Sequence, residues 1–220
     1  MTVDEACSEI CRVGRSLFER GYVHASAGNI SVRLADAQGF IITPTDACLG
    51  FLTPGRLAWI GADGAQRGGD AASKTLGLHR RIYESDPDAQ CVLHTHSTHL
   101  VALTLAGVWS GSDILPPLTP YYVMKVGHVP LVRYHRPGDV AVSDCVADAV
   151  NAARRAESPI RAVMLDRLGP TVWHTSPAAA MAVLEELEET AKLWLMTGRT
   201  AKPLDPAQIK ELREVFGARW

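Results

Sequence analysis

The sequence predicts an α/β fold carried by one domain, on three observations. Amphipathic helical segments alternate with short β-rich runs along the chain, turn residues punctuate them, and 220 residues without a linker-like tract suffice for one substantial core. From Asp4 to Arg20, Ala6, Ile10, Val13 and Leu17 recur at helical spacing, and Gly21 stands where a left-handed residue ends a helix. Ser26 to Leu34 is a small-residue loop running into an alternating segment, and Phe40 to Pro44 is a second β-rich run, so two neighbouring strands are expected. Thr45 with Asp46 begins a short helix, and Leu57 to Ile60 is a strand before the Asp63-Gly64 turn. Ser73 caps a helix to Glu84, stopped by Asp86-Pro87, and the strand from Cys91 follows, with Ser97 and Thr98 capping the next helix.

Pro116, Pro117 and Pro120 then break the chain, Tyr121 to Val126 forms a short helix ended at Gly127, and Val129 to Tyr134 is a strand. Pro137-Gly138 turns into an alanine-rich helix from Asp139 to Ala156, and Ala162 to Leu165 and Thr171 to His174 are strands. Ser176-Pro177 opens the longest helix, with Leu184, Leu187, Ala191 and Leu195 as its apolar stripe. Its Glu185 to Glu189 run reads as a solvated face, Glu188 pairing with Lys192. Asp205-Pro206 caps a last helix through Phe216.

A net charge of −2 leaves no basic field for nucleic acid or an anionic membrane surface. The first residues are acidic where a signal peptide is basic, and no apolar run is long enough to span a bilayer, so a soluble cytoplasmic protein is expected. Five scattered cysteines without a CxxC pair suggest reduced, mostly buried thiols.

The chemistry points to Cys91-Val-Leu-His-Thr-His-Ser-Thr-His99. On a strand His94 and His96 project to one face, roughly 7 Å apart at Cβ, and two neutral imidazoles so placed can share one divalent ion. The same pair also reads as polar residues at an exposed strand end, since a catalytic metal normally has three protein ligands. His99 falls beyond the strand.

Taken in order, Ser26-Ala-Gly-Asn-Ile-Ser31, Thr43-Pro-Thr45, Ser73-Lys74, Leu78-His79, Pro87-Asp-Ala89 and His94-Thr-His-Ser97 resemble the class II aldolase and adducin-head family. Leu115 to Gly127, Tyr134 with Arg136-Pro-Gly-Asp139, and Leu184 to Lys192 are similar to its 3-oxo-tetronate 4-phosphate decarboxylase branch. The resemblance implies a three-layer α/β/α domain with a mainly antiparallel sheet, a zinc ion at a subunit interface, and a homotetramer. It implies a phosphate site at Gly28, Asn29, Thr45, Ser73 and Lys74, with Lys74 also able to stabilise developing charge. The expected reaction is decarboxylation of a 3-oxo-tetronate 4-phosphate to dihydroxyacetone phosphate. The alternatives are an aldolase or epimerase on another keto-sugar phosphate, its base a tyrosine (Tyr121 or Tyr122) from a neighbouring subunit, and a non-catalytic interaction domain like the adducin heads.

Three positions depart from the family pattern. Thr75 stands where the family has an acidic base, Leu168 where it has a third zinc histidine, and Asp46 where a glycine is common. His128 is the first candidate to complete a metal site with His94 and His96, with Asp166 and His174 behind it.

Overall fold

In the computed structural model, which describes residues 1–220, eight strands form one sheet. They are β1 (Asn29–Arg33), β2 (Phe40–Ile42), β3 (Ala58–Ile60), β4 (Gln66–Gly68), β5 (Cys91–His94), β6 (Leu131–Val132), β7 (Ala162–Leu165) and β8 (Gly169–His174), in spatial order 4-3-2-1-5-8-7-6. All neighbours are antiparallel except β6 and β7. The central β5 is buried along its whole length and bears Cys91 and Leu93 on one face and Val92 on the other, as strand alternation requires.

Those two faces carry two cores. Against the first pack α1 (Val3–Glu19), α3 (Thr98–Ala106) and α5 (Pro177–Met196); against the second, α2 (Leu76–Ser85) and α4 (Val140–Arg155). The result is the expected three-layer α/β/α arrangement. Ala6, Ile10, Val13 and Leu17 of α1 are completely buried, and Thr2 closes a capping box with Glu5. A sixth helix, α6 (Pro206–Phe216), starts at the expected Asp205 cap.

Several local expectations are corrected. Asp46 begins no helix, because it sits at φ +54° in the left-handed region. The second helix starts at Leu76, and Ser73 instead accepts a hydrogen bond from the Thr75 N–H at 3.3 Å. The Tyr121 helix is a wide π-type turn over Tyr122–Val126. The strand around Val129 shrinks to Leu131–Val132, and β4 was not foreseen because its three residues are all exposed. All five cysteines are free, but only Cys7 and Cys91 are buried. No helix is long and apolar enough to cross a membrane.

Glu188 is the largest correction. It is buried, and its carboxylate accepts from the backbone N–H groups of His99 (2.9 Å) and Leu100 (3.0 Å) and from His99 Nδ1 (2.8 Å). These backbone donors are orphans of the first turn of α3, left unserved by Ser97, whose side chain makes no cap hydrogen bond. Lys192 pairs with Glu189 instead, at 3.7 Å.

Candidate active site

His94 is the last residue of β5, paired in register with Asn29 of β1 and Thr171 of β8. The residue is 2 % exposed. Nδ1 lies 2.9 Å from the Pro170 carbonyl oxygen, which can only accept, so Nδ1 carries the proton and Nε2 presents its lone pair. Burial, then the neighbouring His96, pushes the His94 pKa down to about 3, which keeps the imidazole neutral. His96 lies just past the strand end, although Thr95 N–H still reaches the Pro170 carbonyl at 3.3 Å. The two ring centroids are 5.2 Å apart, and the His96 pKa is lowered by burial and then by His24.

Two glycines fix this segment from behind. A Cβ on Gly28 (φ +88°) would stand 2.8 Å from the His94 carbonyl oxygen, and one on Gly169 (φ +136°) 1.9 Å from that of Thr95. Both positions therefore require glycine, for conformation and for space.

A second buried histidine holds Asn29. His79 Nε2 donates to Asn29 Oδ1, and its Nδ1 accepts from Ser31 Oγ at 2.7 Å, which in turn bonds the Tyr83 hydroxyl at 2.7 Å. With its oxygen engaged, Asn29 keeps its amide N–H groups for a ligand. Burial, then His94, lowers the His79 pKa to about 3, consistent with this neutral, doubly bonded ring.

His94 opens into a cavity at the C-terminal ends of β6 and β7. Lys74, Thr75 and Leu78 line one side, Val132, Arg133, His135 and Arg136 another, and Leu165, Asp166 and Leu168 a third. The first turns of α2 and α4 also line it, so two helix N-termini add positive potential to Lys74 and the arginines. Such a cavity suits an anionic ligand.

The family of Class II Aldolase and Adducin N-terminal domains matches residues 8–195. The chain belongs to this family. It is similar to the 3-oxo-tetronate 4-phosphate decarboxylases of Cupriavidus necator, at 55% identity over 96% of both chains, and of Escherichia coli K12, at 40% identity over 93% of both. Among solved structures it resembles YgbL from Escherichia coli, with a TM-score of 0.87 and 39% identity over 96% of this chain and 99% of that one.

The class II aldolase residues expected at the phosphate site are drawn toward one sheet end. Thr43 Oγ1 accepts from Ile30 N at 3.2 Å, Ser73 N donates to the Thr43 carbonyl at 3.1 Å, and Thr45 N to that of Ala71 at 2.9 Å. These bonds set Gly28-Asn29, Thr45 and Ser73-Lys74 on adjoining segments, but of these residues only Lys74 lines the cavity, and of the histidine pair only His94 does. Lys74 Nζ lies 3.6 Å from Asp46 Oδ2, both side chains being exposed. Thr75 and Leu168, two of the three departures from the class II aldolase pattern, line the same cavity as His94.

Other expected residues lie elsewhere. His128 was expected as the third metal ligand, but its Nδ1 bonds Asp113 at 2.9 Å and its ring stacks on Trp220. It leads into β6, three strand spacings or about 14 Å from β5, and does not line the cavity. His174 pairs with Cys91 at the far end of β5, whereas Asp166 does line the cavity. Tyr121 is exposed and does not line the cavity of its own chain, which leaves it accessible to a neighbouring subunit; Tyr122 is completely buried within its own chain, its hydroxyl unpartnered. His24 was missed, its ring centroid 6.5 Å from that of His96.

Members of the family generally use a divalent metal. His94 and His96 fit one: both are kept neutral, and the first is oriented through Nδ1. With the rings where they stand, no three His, Cys, Asp or Glu side chains surround a common point.

Proposed function

We propose that the chain is a metal-dependent carboxy-lyase that converts a 3-oxo-tetronate 4-phosphate into carbon dioxide and dihydroxyacetone phosphate. The observation that carries this reading is the cavity itself, which joins an oriented imidazole to cations and helix N-termini while Thr75 puts no ionisable group at the position of the family's base. The similarity to decarboxylases over nearly the whole chain supports it.

His94 and His96 would hold the ion, zinc in this reading because imidazole nitrogens suit it. When bound, it supplies a Lewis acid for the 2-hydroxyl and 3-carbonyl oxygens of the substrate. Gly28, Asn29, Thr45, Ser73 and Lys74 take the phosphate through backbone N–H groups, hydroxyls and an ammonium. The reaction breaks the bond between C1 and C2; its electron pair passes toward the 3-carbonyl, and C2 takes a proton. Lys74 stabilises the negative charge that develops on oxygen. Leu78, Leu165 and Leu168 give the cavity apolar wall, against which a neutral carbon dioxide is better accommodated than a carboxylate. Aldol cleavage would also have to deprotonate a hydroxyl on the departing fragment.

The working unit is a homo-oligomer, a tetramer in this reading. Tyr121, Val215 and Phe216 expose apolar surface that a second copy of the chain would cover.

The test is to incubate tag-free, zinc-loaded protein with 3-oxo-tetronate 4-phosphates and, separately, with ketose 1-phosphates. Carbon dioxide and dihydroxyacetone phosphate from the oxo acid are expected. Aldehyde from a ketose phosphate without carbon dioxide from the oxo acid would establish an aldolase instead, and silence in both assays would remove the lyase reading.

A further inference from the structure

We propose that His24 completes, with His94 and His96, a three-imidazole metal site that compensates for the leucine at position 168. The inference rests on the reading of His94 and His96 as a metal pair, and it adds a ligand from a different part of the chain.

Ring geometry carries it. With zinc about 2.0–2.1 Å from each nitrogen, two imidazoles sharing one ion at a tetrahedral angle have centroids roughly 5.2 Å apart. His94 and His96 already stand at 5.2 Å. His24 and His96 stand at 6.5 Å, an excess that rotation of one side chain can remove. His24 is free to make that rotation, because its ring is exposed and engaged in neither a hydrogen bond nor an ion pair, whereas His128 and His99 are each tied to a carboxylate.

The backbone around His24 is anchored against the same segment. Val23, immediately before it, is buried in the core. The Tyr22 carbonyl accepts from Ser97 Oγ at 3.4 Å, one residue after His96, and Gly28 lies against the His94 carbonyl. The loop is thus tied to the metal-binding segment on both sides of His24. Leu168 lines the cavity with only carbon to offer, whereas the His24 ring stands 6.5 Å from that of His96 with its nitrogens uncommitted.

The experiment measures metal affinity and coordination, independent of turnover. Tag-free apoprotein is titrated with Zn²⁺ against a chromophoric chelator and with Co²⁺ by visible absorption, for wild type, His24→Ala, the double variant His94→Ala/His96→Ala, and His24→Ala/Leu168→His. Thermal unfolding of each apoprotein monitors the fold. Wild type should bind one ion. His24→Ala should weaken binding by about a hundredfold or more, since even outer partners of a ligand are worth ten- to a hundredfold, and should alter the Co²⁺ spectrum. Adding Leu168→His to His24→Ala should restore both. Wild-type affinity and spectrum in His24→Ala, with binding lost in the double variant, would overturn the role of His24 and leave the pair standing. Unchanged affinity in the double variant, or no binding by wild type, would overturn the pair and His24 with it.

Discussion

Replacing Glu188 with alanine tests how the segment after His96 is held. The carboxylate receives two backbone N–H groups at the start of α3 and the His99 ring, and both Glu188 and Leu100 are buried. Hydrogen bonds to a charged group are worth about 1.5–3 kcal/mol each, and an orphaned buried donor costs about 1–3 kcal/mol. Water can enter beside the partly exposed His99 and recover some of this, so about 3 kcal/mol is expected for Glu188→Ala. For a chain of this size that lowers Tm by roughly 6–12 °C. Glu188→Gln keeps the shape but turns an amide N–H₂ toward donors, and should cost about half as much. The assay is urea unfolding of the metal-free protein, with thermal scans beside it. A Glu188→Ala variant within about 0.5 kcal/mol of wild type, the range of ordinary surface substitutions, would show the carboxylate to be solvated and refute the capping argument.

Asp46→Gly should relieve the left-handed strain at φ +54° and free Lys74 from its partner, giving about 1 kcal/mol of stability and a lower KM for the phosphorylated substrate; an unchanged KM would show that Lys74 does not meet the phosphate. Gly28→Ala should cost more than about 1 kcal/mol, the reverse of the usual gain from this exchange, and should lower metal affinity by displacing the His94 carbonyl; urea unfolding and the Zn²⁺ titration check both. The unfolded chain protonates His79 and His94 near pH 6.5, while the folded protein resists until about 3, so stability is fully present above 6.5 and falls as pH falls toward 3. Metal-free protein should lose up to about 1.4 kcal/mol per pH unit for each ring well below pH 6.5, and a urea midpoint flat between pH 5 and 6.5 would refute neutral burial.

The parts of the fold that were legible in the sequence are those where one face decides everything. The apolar spacing of α1 predicts four residues that are all completely buried, and the Asp205 and Ser176 caps lie where their residue types put them. Glu188 was misread because a carboxylate near a lysine on one helix looks the same whether its oxygens meet water or the open end of another helix. Spacing along α5 carries no information about α3. The His94 and His96 pair was visible because it is local, although the strand stops between them. His128 and His24 needed the strand order: the one leads into a strand three places from β5, the other precedes a strand adjacent to it. That adjacency is a long-range pairing, which no local pattern encodes.

Gly169 has a further consequence. Its neighbour Leu168 is held at the cavity by a turn in which residue 169 can carry no side chain, because the space is filled by the Thr95 carbonyl. The course of the backbone at that corner is therefore set by the approach of residues 95 and 169, while the Leu168 side chain rests on the edge of the second core. A socket of this kind persists when its occupant changes, and leucine and histidine codons can differ by a single base. The scaffold can exchange a donor at this corner for a hydrocarbon, or regain it, while the turn keeps its course, which makes the composition of the site more labile in descent than its backbone geometry.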